Sequence, residues 1–75
     1  MNIETLKLKT KLEEDTLESM FRFLFALRDS GAVNMYGAGE YLEEEYDITQ
    51  KESTHVLVYW MENFKTLAKA LSVEV

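Results

Sequence analysis

The sequence contains no cysteine, no proline, three glycines and a single histidine among its 75 residues. Without cysteine, the chain forms no disulfide and offers zinc no thiolate ligand. A single histidine does not supply the base and orienting partner that a serine or threonine nucleophile requires. We therefore expect a protein that is not an enzyme and that holds no metal and no cofactor.

Long apolar runs are missing as well. The longest, Val56–Met61, is far too short to span a bilayer, which takes about 20 apolar residues. No segment has the apolar core of a signal peptide, and this fits a cytoplasmic protein, as does the lack of cysteine. The length predicts one domain over residues 1–75 with a small core, so that close aromatic packing or self-association must reinforce it.

The charge is acidic and unevenly distributed. The net charge is −6; residues 1–12 hold three lysines and one glutamate, which gives +2, so residues 13–75 carry −8. A surface of this sign repels nucleic acid and anionic membranes and attracts basic protein surfaces. We expect a protein as the partner, with little affinity for nucleic acid and none for membranes.

The two ends of the chain each alternate apolar and polar residues. In residues 3–12 the apolar positions alternate with Lys7, Lys9 and Lys11, which favours a strand, and residues 71–75 alternate too. The two segments are able to pair as a short β-ribbon, within one chain or across a dimer. The other interpretation of residues 1–12 is an extension of the first helix, because leucine, lysine and glutamate are good helix formers.

A helical core is predicted over residues 15–71. Its first helix has Asp15 as N-cap, with Glu18 three residues later, and ends at Ser30–Gly31. Phe23 and Phe25 flank its apolar face on opposite sides, so a single neighbouring helix cannot cover both phenylalanines together with that face. Either this helix is central and packed on both sides, or one of the two phenylalanines contacts another subunit or partner. The apolar face itself consists of Leu17, Met20, Phe21, Leu24 and Leu27.

The second helix is predicted over residues 35–46, with Asn34 as its N-cap. Gly37 and Gly39 weaken it by about 1 kcal/mol each, which indicates close backbone approach to another helix. Tyr41 is expected to face inward with Leu42. Four glutamates face outward: Glu40, Glu43, Glu44 and Glu45.

The third helix begins with the clearest local signal, the capping box Thr49–Glu52, and is predicted to run to about Leu71. Glu52 and His55 also match the E-x-x-H pattern of di-iron bundles, but that chemistry needs two such motifs, and capping explains Glu52 more simply. An apolar stripe follows the helix through Leu57, Trp60, Met61, Phe64, Leu67, Ala68 and Leu71. Three further residues lie off that stripe: Val56, Val58 and Tyr59.

A longer pattern links the last two predicted helices. It comprises Ser30-Gly31, Asn34-Met35, Gly37-Ala38, Tyr41-Leu42, Leu57, Trp60-Met61 and Phe64. In these positions the chain resembles small helical proteins encoded by bacteriophages. The resemblance implies a phage or bacterial setting, with the protein in the host cytoplasm if a phage encodes it. It implies no activity and transfers no functional residue.

We thus predict a mainly α three-helix domain in which helices two and three are arranged like a helix-turn-helix. Its function is expected to be binding and modulating another protein, as a homodimer. The predicted contact surface consists of Phe23, Phe25, Val58 and Tyr59, with Glu40, Glu43, Glu44 and Glu45 attracting a basic partner. The alternatives are a nucleic-acid-binding regulator of helix-turn-helix type, or a DNA mimic.

Overall fold

The computed structural model describes residues 3–31 and 37–73, and within these ranges the chain is helical and contains no strand. The mainly α class is therefore confirmed. Three helices are too few, because residues 3–10 form a helix of their own and the predicted third helix is divided in two. The helices are α1 (Ile3–Thr10), α2 (Glu14–Ser30), α3 (Ala38–Tyr46), α4 (Gln50–Glu62) and α5 (Phe64–Ala70).

The predicted N-terminal strand is wrong. Residues 3–10 are helical, as the alternative expected, but they form a separate helix and not an extension of the next one. Leu6 and Thr10, one helical turn apart, are both buried, whereas Leu8 between them is 79% exposed. The Thr10 hydroxyl donates to the Leu6 carbonyl at 2.8 Å. A strand here would need a partner strand for its backbone groups, whereas a helix pairs them locally. The second strand of the predicted ribbon was residues 71–75. Residues 71–73 are not in a strand, and residues 74–75 lie outside the described ranges.

Helix α2 starts earlier than predicted and ends where predicted. Glu13 is its N-cap and makes no side-chain cap, so Asp15 lies inside the first turn and is not the cap. Glu18 instead pairs with Arg22, with 3.3 Å between Oε1 and Nη2. Gly31 ends the helix in the left-handed region, at φ 67°, which a residue without a Cβ adopts at little cost.

Helix α3 begins at Ala38, and the predicted N-cap Asn34 lies outside the described residues. It ends at Asp47, whose φ of 53° turns the chain toward α4. The capping box at the start of α4 is confirmed: Thr49 Oγ1 accepts from the Glu52 amide at 3.2 Å, and Glu52 Oε1 accepts from the Thr49 amide at 2.9 Å. The turn between the two helices is thus fixed from both sides.

The predicted third helix is interrupted at Asn63. Its backbone leaves the helical region, with φ −116° and ψ 24°, and its side-chain amide donates to the Tyr59 carbonyl at 3.0 Å. Asparagine competes in this way for backbone hydrogen bonds, which disfavours it inside helices. Beyond the break, Leu67 and Ala68 of α5 are buried.

Helix α4 contacts each of the four other helices in the described ranges and is the centre of the fold. Val56, expected off the apolar stripe, is fully buried. An aromatic cluster joins α2, α4 and α5, with ring centroids 5.3 Å apart for Phe25–Trp60, 5.2 Å for Phe25–Phe64 and 5.1 Å for Trp60–Phe64. Such offset and edge-to-face pairs contribute beyond the apolar area that they bury, which reinforces a small core.

Candidate interaction surfaces

Helices α3 and α4 approach each other closely at Gly39. A Cβ on this glycine would lie 3.3 Å from Ser53 Oγ, tighter than ordinary contact. The Ser53 hydroxyl, in turn, donates to Glu43 Oε2 at 2.7 Å. The predicted role of the glycines in close packing is therefore confirmed for Gly39 but not for Gly37, where a Cβ would meet nothing within 4 Å among the described residues. Glu43 consequently has a structural role, and it is only partly exposed.

The other glutamates of α3 form an exposed surface. Glu40, Glu44 and Glu45 are all exposed, and no lysine or arginine of the described residues forms an ion pair with them. Tyr41, predicted to face inward, is 43% exposed and joins this surface. A shallow depression of about 170 Å³ is lined by Glu40, Tyr41 and Glu44. We refer to Glu40, Tyr41, Glu44 and Glu45 as the acidic face.

The acidic face disfavours the helix that carries it. Glu40 and Glu44 are four residues apart, and like charges at this spacing destabilise a helix by about 0.2–0.5 kcal/mol. Glu44 and Glu45 lie in the last turn, where the negative end of the helix dipole repels carboxylates, and no basic residue in that turn offsets them. Helix α3 is held by tertiary packing instead, through the fully buried Ala38 and Leu42. Helix stability therefore does not explain Glu44 and Glu45, whereas Glu40 lies in the first turn, where the helix dipole favours a carboxylate.

The four apolar residues predicted to form a contact surface do not lie on one surface. Phe25 is only 5% exposed and belongs to the aromatic cluster, which agrees with the first of the two interpretations of α2. Phe23 is partly buried and meets the ring of Tyr46 edge-on, with centroids 5.8 Å apart. Tyr59 is also partly buried and stacks on Phe21. Val58, at 47% exposure, is the one of the four with a largely exposed side chain.

The Tyr59 hydroxyl is buried and has no hydrogen-bond partner among the described residues. Burial raises the pKa of the Tyr59 phenol above its ordinary value of 10, because the phenolate would lose its hydration. The neutral hydroxyl is also disfavoured, since its hydrogen bonds to water are lost on folding and not replaced. The Tyr59 hydroxyl therefore lowers the stability of the folded protein relative to a phenylalanine ring at the same position.

A cleft lies between α1 and α4. It has a volume of about 160 Å³, and its walls include Thr5 and Lys9 from α1 and His55, Val58, Tyr59 and Glu62 from α4. Glu62 lies nine residues after Ser53, which is half a turn away on the helix at 100° per residue. Since Ser53 contacts α3, the α1–α4 cleft and the contact with α3 occupy opposite sides of α4.

The lone histidine is not part of a metal cluster in the described ranges. His55 is partly buried in the wall of the α1–α4 cleft. Glu52, its partner in the E-x-x-H pattern, is engaged in the capping box, as expected. Across residues 3–31 and 37–73, no three His, Cys, Asp or Glu side chains are grouped so that they could hold a metal ion.

Two surface residues were missed at the sequence level, Tyr41 and Leu8. Tyr41 is flanked by outward-facing glutamates, a signal that was available in the sequence. Leu8 gave no such signal, because its alternation with lysines fits a strand as well as a helix.

Among the described residues, no helix has both the length and the apolar character needed to cross a membrane. Comparisons with protein-family models, curated proteins and solved structures returned no match.

Proposed function

We propose that this protein is a non-enzymatic interaction protein that uses its acidic face to bind and modulate a basic protein. The observation that carries the proposal is the set of exposed carboxylates on α3, which pair with no cation of the described residues. Two of them, Glu44 and Glu45, also weaken the end of their own helix. Residues that break a local stability rule without a compensating contact are expected at functional sites. The resemblance to phage-encoded proteins makes a host or phage protein the expected partner.

The chemistry of the acidic face indicates what the partner presents to it. Glu40 and Glu44 flank the half-exposed ring of Tyr41. An arginine side chain suits this arrangement, because its planar guanidinium pairs with carboxylates in two-pronged fashion and stacks on aromatic rings. The binding energy is expected to come mainly from the centre of this contact, with Glu45 contributing to the rate of encounter.

The test is affinity capture from bacterial and phage-infected extracts with two isosteric variants. The first carries Glu40→Gln, Glu44→Gln and Glu45→Gln. The matched control carries Glu13→Gln, Glu14→Gln and Asp15→Asn, which removes three exposed carboxylates from the start of α2. A partner of the acidic face is retained by the control, lost by the first variant and released by salt. Capture that both variants share equally would refute the proposal.

A second candidate function follows from the order α3, tight turn, α4. This order matches a helix-turn-helix, in which the second helix enters the major groove and the first crosses the phosphate backbone. Exposed Gln50, Lys51 and Thr54 at the start of α4 are polar enough to touch bases. The glutamates of α3 would, however, face the phosphates, which is why we rank direct DNA binding second. The same charges suit a DNA mimic that occupies a protein's DNA site.

Titration with duplex DNA separates these alternatives. Direct readout predicts binding at low salt that weakens steeply as salt increases, because counterions are released from the phosphates. Our proposal predicts no binding under those conditions. A mimic would also leave the DNA free, but it would displace DNA from a captured partner, whereas a partner bound elsewhere would keep its DNA.

A further inference from the structure

We propose that the α1–α4 cleft is the dimer interface of this protein, with Leu8 of each copy inserted into the cleft of the other. The occupant is a second copy of the chain. The proposal does not rest on the acidic face, which belongs to α3, and the two surfaces are testable separately.

The exposed apolar residues of the described chain point to this cleft. Leu8, Val58 and Tyr41 are its largely exposed large hydrophobic residues. Val58 lines the cleft, and Leu8 is three residues after Thr5, which also lines it, so the two share one face of α1. One exposed leucine is ordinary, and Leu8 does not itself line the cleft, but a leucine at 79% exposure on the helix that forms one wall of the cleft is a candidate for burial in a partner.

The volume of the cleft suits a single large side chain. It measures about 160 Å³, close to the roughly 150 Å³ of engineered apolar cavities that accept a benzene molecule. A leucine side chain is of this size class. In a two-fold dimer every contact occurs twice, so Leu8 of each copy enters the cleft of the other.

The cleft carries one positive and one negative side chain, so the charges of one copy can complement those of a second copy. Lys9 lies on the α1 wall and Glu62 on the α4 wall, and neither forms an ion pair within the described part of the chain. A two-fold interface needs a patch that complements itself, which a patch of one charge sign does not provide. In the dimer Lys9 faces Glu62 of the second copy, and the reverse pair forms across the axis.

Sedimentation velocity of the full chain from micromolar to submillimolar concentration tests the interface. The wild-type protein is expected to dimerise, and Leu8→Ala to raise the dimer dissociation constant at least about tenfold, because both inserted leucines are shortened. Leu8 is exposed in the single copy, so the substitution leaves the fold intact, which circular dichroism checks. Tyr41→Ala, a truncation on the acidic face, is the matched control and leaves the constant unchanged.

Exchanging the two charges tests whether Lys9 of one copy faces Glu62 of the other. Lys9→Glu and Glu62→Lys each weaken the dimer, and the double variant restores it to within about threefold of wild type, since the pair re-forms with its signs exchanged. Lys65→Glu makes the same charge change at an exposed position of α5 and is neutral. Three results would each overturn the inference: a wild-type monomer at every concentration, an unchanged constant for Leu8→Ala, or a double variant no better than its single parents.

Cysteine cross-linking provides a second measurement that does not depend on affinity. Because the chain has no cysteine of its own, a Leu8→Cys copy mixed with a Val58→Cys copy carries only the two thiols under test. The inserted position of residue 8 predicts that the mixed disulfide forms faster than either self-pair. Equal rates for all three pairs would contradict the interface.

Discussion

Helices α3 and α4 follow one another through a short turn, yet they are stabilised in opposite ways. Helix α4 has a complete capping box and buries Val56 and Trp60 in the core. Helix α3 has nine residues, an internal glycine, no side-chain cap and four glutamates. A helix this short is marginal by itself, so α3 depends on the surface that α4 provides. The helix with weak local support is the one that carries the charges assigned to partner binding.

The largest expected effect comes from removing the contact that holds α3. Leu42→Ala deletes a fully buried side chain and is expected to lower the free energy of unfolding by about 2–5 kcal/mol. Urea denaturation followed by circular dichroism and by the fluorescence of Trp60 measures the change. The matched control is Leu8→Ala in dilute solution, where the same truncation at an exposed site alters stability by less than about 0.5 kcal/mol. Equal effects of the two truncations would mean that α3 is not held through Leu42.

The next largest effect tests the local support of α4. Thr49→Ala removes the hydroxyl that accepts from the Glu52 amide, and it should cost about 1 kcal/mol of stability. Thr49→Ser keeps the acceptor and should stay close to wild type, whereas Thr66→Ala, at an exposed position of α5, should have little effect. Denaturation midpoints of the three variants check this ranking. An alanine variant as stable as the serine variant would show that the cap does not stabilise α4.

The same contrast explains which parts of the fold the sequence could predict. The capping box and the αL glycine at Gly31 are local signals, in which neighbouring residues satisfy each other's backbone groups, and both were found where predicted. The apolar face of α2 was also correct, because its period of 3.6 is sustained over three turns. Such features need no knowledge of the rest of the molecule.

The features that were missed depend on distant contacts. Residues 3–12 alternate as a strand would, but α1 forms because it packs on α4 and no strand of the described residues is there to pair with it. The break at Asn63 is an exception, because its side-chain hydrogen bond reaches only to Tyr59, four residues earlier; it was missed because the apolar stripe continues across it. The candidate surfaces show the same division: the glutamates could be read from composition, whereas the α1–α4 cleft exists only once two helices meet.

An effect of similar size but opposite sign is expected at Tyr59, whose buried hydroxyl has no hydrogen-bond partner among the described residues. Tyr59→Phe removes the buried, unpaired hydroxyl while keeping the ring stacked on Phe21, and should raise stability by about 1 kcal/mol at neutral pH. Because the pKa of Tyr59 is raised in the folded state, folding favours the protonated phenol. The free energy of unfolding of the wild type therefore shows no loss from Tyr59 ionisation below pH 10, the ordinary pKa of a phenol. It decreases as the pH rises from there through the pKa of Tyr59 in the folded protein.

Denaturation of both proteins across the alkaline range measures this pH dependence. The stability difference between Tyr59→Phe and wild type should be constant below pH 10 and should widen above it, since only the wild type must bury a group that tends to ionise. Lysine titration affects both proteins alike and cancels in the difference. A gap that narrows with rising pH would contradict a raised pKa for Tyr59.

The smallest expected effect on stability is that of Glu44→Lys. This variant is informative about the contrast between α3 and α4, because it should raise the stability of α3 while weakening partner binding. Glu44→Lys places a cation in the last turn of α3, where it pairs with Glu40 at the favourable i,i+4 spacing, so stability should rise by about 0.5 kcal/mol. The gain should shrink in high salt, as an exposed charge effect does. The same substitution should weaken binding to a basic partner captured by the acidic face, whereas Glu14→Lys, at an exposed position of α2, should leave that binding nearly unchanged. A variant that gains stability and keeps its partner would show that α3 carries its glutamates for some other reason.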